Sequence, residues 1–368
     1  MKKQKKILVI SVAGIGSTLL TLPMLKAIKH HFQGYRVDLL CGQKPSLDLL
    51  KDEPYIDNLL LFNRKIFRNF FSNIKHLFMI IKTHYDYAFL AFPANRAEFN
   101  LLSFLTFARH RISHKYPNKK ILSLSFLNTF TVPLQPVHDT YNNILLLKAL
   151  GIKEDELCKI DKSIKINVTS SDIEKAQQIL NTNKIDVNKF ICIHPGCSKD
   201  QPYKRWPLNK YARLIDKITL NHGHHVIIFT GYDEKDSFNV IYSNLSDKAK
   251  GKVAHFHNLN PKTIAALAML SVLFISNDSG LMHLAVASGA KVLAVYGASD
   301  PRRTAPYHDM NNVIVSGLSC QPCNRTFHNL GEKFKCSRID YFRRYSEYEC
   351  LDRLKVDKVY DKVKLKLF

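Results

Sequence analysis

Ile7-Leu8-Val9-Ile10-Ser11-Val12 runs directly into Ala13-Gly14-Ile15-Gly16-Ser17-Thr18, and how this stretch folds decides the rest of the chain. Lys2, Lys3, Lys5 and Lys6 precede it, so its composition matches that of a secretory leader. The same residues also form a strand, a glycine turn and the start of a helix. The continuation favours the second pattern, because Thr18–Phe32 is helical in character and another strand, Tyr35–Cys41, follows it.

Outward from this unit, apolar runs alternate with helical stretches. Asn58–Phe62 and Tyr87–Phe92 are predicted strands, with a helix at Ile66–Lys82 between them. After His114 the pattern fades among Pro117, Pro133 and Pro136, and His138–Leu150 is a predicted helix closed by Gly151. Lys153–Ser171 is polar and charged and is the expected connection. A second alternating set then begins. Its strands are Phe190–His194, Val226–Thr230, Leu273–Ser276 and Val292–Tyr296. Its helices are Asp172–Leu180, Tyr211–Asn221, Ser237–Leu245, Pro261–Leu270 and Met282–Ser288. Alternation of this kind predicts α/β architecture with two doubly wound parallel sheets. The expected domains are residues 1–165 and 166–350, followed by a basic helix over 351–368.

The chain has 368 residues, enough for two or three domains. With 46% hydrophobic and 23% charged residues it is neither disordered nor collagen-like. No apolar run reaches the roughly 18 residues of a membrane-spanning helix. Lys and Arg number 54 against 31 Asp and Glu, a formal charge of +23. Residues 1–150 hold 21 basic and 8 acidic residues, so the first half carries +13 of it. Such an excess favours phosphorylated substrates, an anionic membrane face or nucleic acid. No zinc-finger or RNA-recognition signature is present, and nucleic acid is not expected as a partner.

Three strand-to-helix junctions carry polar chemistry. In the first, Gly14 and Gly16 let backbone approach a ligand, but the third glycine of a dinucleotide fingerprint is missing, which argues against a nicotinamide-dependent oxidoreductase. A tight turn explains it equally well. The second is His194-Pro195-Gly196-Cys197-Ser198, leading to Lys204-Arg205-Trp206-Pro207. Lys204 and Arg205 suit phosphate, and the only Trp of the chain beside them is expected to serve the site; a solvated basic loop over a packed Trp206 is the alternative. The third, Ser276-Asn277-Asp278-Ser279-Gly280-Leu281-Met282-His283, follows a buried strand. Asp278 or Ser279 can cap the next helix, and the loop presents amides and a hydroxyl in phosphate-binding geometry. His283 falls one turn inside that helix.

Together these motifs resemble glycosyltransferase family 9, the lipopolysaccharide heptosyltransferase family. The matching stretches are Ile7–Lys29, His138–Gly151, His194–Tyr211, Asn277–Gly289 and Val292–Pro301, in the family's order. The resemblance implies a GT-B fold, two Rossmann-like domains facing across a cleft, and an inverting, metal-independent transfer. The C-terminal domain is expected to bind a nucleotide-sugar, typically ADP-heptose, through Lys204, Asp278, Ser279, Gly280, Leu281 and His283. The N-terminal domain is expected to take an anionic lipid-linked saccharide, with Gly16 and Arg96 on the acceptor side. A cytoplasmic location, peripheral to the inner membrane face, goes with that acceptor.

One departure bears on catalysis. Family members commonly carry Asp directly after the first-loop glycine, where this chain has Ser17. Serine is no general base near neutral pH without an activating partner. Glu98, in Pro93-Ala94-Asn95-Arg96-Ala97-Glu98 after the fourth strand, is the candidate replacement. Otherwise solvent serves as the base, or the chain is a binding-only relative; a donor other than ADP-heptose is a further alternative.

Two features stand apart. Cys320-x2-Cys323-x12-Cys336-x13-Cys350 is loosely compatible with a structural zinc site, and equally with reduced thiols. Within Ile66–Lys82, Ile66, Phe70, Ile74, Leu77 and Ile81 share a stripe flanked by basic residues; this is a crossover helix packed on its sheet, or one resting on an anionic membrane.

Overall fold

The computed structural model describes residues 4–62, 70–94, 96–116, 123–307, 309–323 and 348–367. Contacts divide the chain into two units, the first spanning Met1–Asn167 and the second beginning at Val168 and including the C-terminal segment.

The first unit is built on six parallel strands: β1 (Lys6–Ser11), β2 (Arg36–Cys41), β3 (Asn58–Leu61), β4 (Tyr87–Leu90), β5 (His110–Lys115) and β6 (Phe130–Pro133), in the order β3-β2-β1-β4-β5-β6. Ile7–Ile10 are fully buried between β2 and β4, with Ile7 opposite Val37 and Tyr87. The apolar run after the N-terminal lysines is thus the central strand of a sheet. Its helices are α1 (Ile15–Leu19), α2 (Leu22–His31), α3 (Lys44–Leu50), α4 (Phe70–Thr83), α5 (Ala97–Leu105), α6 (Asp139–Leu145) and α7 (Glu154–Lys159). The helix expected over Thr18–Phe32 is broken at Leu20–Thr21, because Pro23 sits in the first turn of α2 and offers no amide to continue α1. Two strands escape the sequence pattern, β5 just before it fades at His114 and β6 after it. β5 reads His-Arg-Ile-Ser-His-Lys and is held by its ladders to β4 and β6 more than by apolar content. The connection expected at Lys153–Ser171 contains α7.

The second unit repeats the plan. After α8 (Ser170–Thr182) come β7 (Phe190–His194), α9 (Leu208–His222), β8 (His225–Thr230), α10 (Lys235–Ser243), α11 (Asp247–Lys250), β9 (Val253–His257), α12 (Pro261–Leu270), β10 (Leu273–Asn277), α13 (Gly280–Ala287), β11 (Val292–Val295), α14 (Pro301–Thr304), β12 (Val313–Ile314), α15 (Glu349–Asp352) and α16 (Val356–Leu367). All strands are parallel, in the order β12-β11-β10-β7-β8-β9. Counted from the first strand of each sheet, both orders are 3-2-1-4-5-6, the doubly wound Rossmann order. Val359, Tyr360 and Val363 of α16 bury themselves in the same core as Ile215 and Ile218 of α9. No helix among the described residues is long and apolar enough to cross a membrane.

Candidate active site

In a doubly wound sheet the ligand crevice opens beyond the strand C-termini where the strand order reverses. In the second unit that point lies between β7 and β10. The loop after β7 is His194–Ser198 and the loop after β10 is Asp278–Ser279, the two motifs singled out in the sequence. Topology therefore brings them together.

Asn277, the last residue of β10, holds these loops. Its Oδ1 accepts from the Trp206 amide at 3.1 Å and the Tyr211 hydroxyl at 2.9 Å. Its Nδ2 donates to the carbonyls of Pro195 at 2.6 Å and Gly196 at 3.2 Å. The side chain is wholly buried and its amide is used on both sides. Sequence reasoning quoted Asn277 without giving it a role. The one local signal is a second polar residue, after Ser276, at the end of a buried strand.

Next to Asn277, the Asp278 carboxylate meets the Lys204 ammonium at 2.7 Å; their side chains are 3% and 15% exposed. Burial alone pushes the carboxyl up and the ammonium down. Their attraction outweighs it, so Asp278 lies below the usual carboxylate range and Lys204 above the usual lysine one. His283, buried one turn into α13, adds to the lowering of Asp278. Asp278 does not cap α13. Ser279 does, its Oγ accepting from the Met282 amide at 3.4 Å and lying 3.0 Å from Ser276 Oγ. Gly280 and Leu281, at the start of the helix, have amides without an intrahelical acceptor, where the helix dipole is positive.

The other members of the basic motif are structural. Arg205 turns its guanidinium onto the Cys197 carbonyl at 2.7 Å. Trp206, expected to serve the site, is fully buried: its ring packs edge-on to Tyr211 at 5.0 Å, and its Nε1 donates to the Leu354 carbonyl at 3.2 Å. Lys210 Nζ donates to the carbonyls of Leu351, Asp352 and Leu354, pinning the same segment. Gly297, after β11, is a glycine because a Cβ there would stand 2.5 Å from the Tyr203 carbonyl and 2.9 Å from Leu351 Cγ.

Glu234, also missed in the sequence, is buried beside the β7 loop. Its carboxylate accepts from the Gly231 amide at 3.0 Å and lies 3.8 Å from His194 Nδ1. A Cβ on Gly196 would overlap that carboxylate at 2.0–2.2 Å.

The first unit's switch point lies between β1 and β4. The loop after β1 leads into α1, where Gly16 is buried and Ser17 half-buried; no side chain among the described residues hydrogen-bonds the Ser17 hydroxyl. The loop after β4 leads to α5, with Arg96 at its N-cap and Glu98 in its first turn. Both side chains are exposed and approach each other at 3.5 Å. Asn143 ties the loop after β4 to the break between α1 and α2: its Oδ1 accepts from the Phe92 amide at 2.8 Å and its Nδ2 donates to the Leu20 carbonyl at 3.2 Å.

Of the cysteines grouped in the sequence, Cys320 and Cys323 are half-buried, Cys350 lies in the second core, and Cys336 falls outside the described residues. Among the described residues no three His, Cys, Asp or Glu side chains converge as metal ligands.

Comparison with known proteins gives this arrangement its context. Lipooligosaccharide heptosyltransferase 2 of Campylobacter jejuni is 24% identical over 95% of both chains. The structure of E. coli ADP-heptose LPS heptosyltransferase II matches with a TM-score of 0.74 at 19% identity, over 98% of each chain. That of E. coli heptosyltransferase WaaC with ADP-2-deoxy-2-fluoro heptose matches with a TM-score of 0.67 at 15% identity, over 98% and 99%. These likenesses carry the GT-B fold. The model of glycosyltransferase family 9 (heptosyltransferase) matches residues 97–333, from α5 through the whole second sheet, and the chain is a glycosyltransferase belonging to that family.

Proposed function

We propose that the enzyme transfers a heptose from ADP-heptose, with inversion at the anomeric carbon, to a lipopolysaccharide core or a related surface glycan. The observation that carries this is the Lys204–Asp278 pair beside the open amides of α13 at the switch point of the second sheet. A lysine ammonium and a helix N-terminus aimed at one spot form a receptor for diphosphate. The ADP-2-deoxy-2-fluoro heptose in the WaaC structure and the name of the Campylobacter relative support an ADP-heptose donor and a lipooligosaccharide-type acceptor.

In this reading the amides of Gly280 and Leu281, the Ser279 hydroxyl and Lys204 hold the diphosphate. Asp278 keeps Lys204 charged and fixes its direction, and His283 backs Asp278. The acceptor hydroxyl attacks the anomeric carbon from the face opposite the diphosphate. The bond from that carbon to the diphosphate oxygen breaks, and the nucleoside diphosphate leaves with the electron pair. Lys204 and the dipole of α13 stabilise the charge that grows on the leaving oxygen, the service a divalent cation performs elsewhere. Among the described residues no side chain bonds the Ser17 hydroxyl to activate it, so the acceptor proton passes to the Glu98 carboxylate, with Gly16 and Arg96 on the acceptor side. A lipid-linked acceptor places the reaction at the cytoplasmic face of the inner membrane.

The test is transfer by purified protein from ADP-heptose and a panel of other nucleotide-sugars to a deacylated core saccharide. Expected are a product of inverted configuration, weaker donor binding in Lys204→Ala, and a large loss of kcat in Glu98→Gln. Preference for another donor would replace the heptose assignment. Undiminished turnover in Glu98→Gln would remove that residue from the chemistry.

A further inference from the structure

Among the described residues, every large apolar side chain that the first unit exposes lies between Ile74 and Phe130. The crossovers from β3 to β4 and from β4 to β5 run in the same direction across the sheet. Right-handed connections therefore put α4 and α5 on one face. Ile80 of α4 joins Phe99 and Leu102 of α5 in the core beneath them. At about 100° per residue, Phe78 and Phe104 then point about 200° away from Ile80 and Leu102, out of the protein. Both helices are thus apolar on the side that packs and on the side that does not.

The outward side is aromatic and rimmed by cations. Phe78 is 65% exposed, with Met79 beside it and Lys82 one turn on. Phe104 and Phe107 lie 6.2 Å apart at the end of α5, with the Arg111 guanidinium 5.5 Å from the Phe104 ring. Phe107, 63% exposed, is held at φ 52°, a conformation costly for so large a residue that yields no burial. The turn carrying Phe126, 67% exposed, is joined to α5 through Asn128 and Asn100 at 2.6 Å. Residues 70–133 hold eight Lys and Arg against two Asp and Glu; of the acids, Asp86 is bound to the Lys6 amide and Glu98 to Arg96.

We infer that the outer face of α4 and α5, extended by Phe107 and Phe126, docks the enzyme onto an anionic phospholipid bilayer. Aromatic side chains enter the headgroup layer and the surrounding Lys and Arg meet lipid phosphates. The apolar exposure selects a bilayer over a soluble polyanion, and the charge selects an anionic one. The inference extends beyond α4 the membrane contact implied by a lipid-linked acceptor, and it stands without the identity of the transferred sugar.

Flotation of the full chain with vesicles tests it. Wild type should float with equimolar phosphatidylcholine and phosphatidylglycerol, and not with phosphatidylcholine alone. Phe78→Ser/Phe104→Ser should lower partitioning at least tenfold, with its thermal midpoint and its turnover on the deacylated acceptor unchanged. Leu220→Ser/Tyr232→Ser, which removes exposed apolar side chains of the second unit, should float like wild type. Absence of flotation, or flotation indifferent to the Phe78/Phe104 pair, overturns the proposal. So does a concentration-dependent dimer, seen by sedimentation, that the same pair abolishes, because the face would then join two copies. Flotation as expected without any sugar transfer would overturn the proposed reaction and leave this inference standing.

Discussion

The ammonium of Lys204 lies 2.7 Å from the carboxylate of Asp278, across a gap of 74 positions in sequence, and closes two strand-end loops of the second sheet on each other. Asp278 is almost fully buried, whereas Lys204 keeps a small part of its side chain at the surface. The two halves of the pair should therefore respond unequally to mutation. Lys204→Met strands a buried carboxylate and should cost about 3 kcal/mol. Asp278→Asn leaves an ammonium that can turn outward, and should cost roughly 1 kcal/mol. Urea denaturation of both variants checks the order; equal losses would contradict it.

The same pair sets a pH window. Asp278 is lowered on folding, so its contribution is complete above the unfolded carboxyl value of about 3.9 and is lost as pH falls through the folded value. Lys204 is raised, so its contribution is complete below the unfolded lysine value of about 10.4 and is lost as pH rises through the folded one. The stability difference between wild type and Lys204→Met/Asp278→Leu should stay flat across the pH units between these limits. A slope between pH 5 and 9 in urea titrations would show that other groups control the site.

Asn277 bonds to Trp206, Tyr211, Pro195 and Gly196 at once. Replacing it by Leu leaves several buried polar groups unpaired, at about 1–3 kcal/mol each when unrelieved. The variant should melt lower and bind nucleotide-sugar at least tenfold more weakly. Asn277→Asp keeps the acceptor side and loses both donations, so its affinity should fall between the two. Calorimetric titration with ADP-heptose reads the series.

Gly196→Ala should be destabilised because its methyl group needs the space of the Glu234 carboxylate. The clash is with one side chain, so it can be relieved. Gly196→Ala/Glu234→Ala should melt above Gly196→Ala alone. If the second change lowers the midpoint further, backbone conformation at Gly196 is the cause instead.

Thiol chemistry offers an independent map of burial. Burial pushes Cys41 up to about 12 and Cys197 up to about 11, and raises Cys192 as well, so little thiolate forms at pH 8. Cys158 is exposed. Iodoacetamide at pH 8 should label Cys158 in minutes and leave those three untouched until denaturant is added, as peptide mass spectrometry would show. Fast labelling of Cys197 would mean that the β7 loop opens.

What the sequence discloses depends on the range of the cause. Phe190–His194 and Pro261–Leu270 are legible to the residue, since an unbroken apolar run and a helix opened by proline are local signals. β5 is nearly illegible, because its neighbours create it: four of its six residues are His, Arg or Lys. The site divides in the same way. Lys204, Asp278 and Ser279 stand at strand-to-helix junctions that composition marks. Asn277 acts through partners 66 to 82 positions away, and Glu234 meets His194 forty positions back, separations that no spacing rule reaches. Trp206 misleads for the same reason, since its partner at Leu354 lies 148 positions away.

That last contact gives the molecule an order in time. A ribosome delivers β7 to β12 before residues 351–363, and those later residues complete the packing around Trp206 and Lys210. A chain lacking residues 351–363 would carry the whole second sheet and leave the Trp206 indole N–H without the Leu354 carbonyl it donates to.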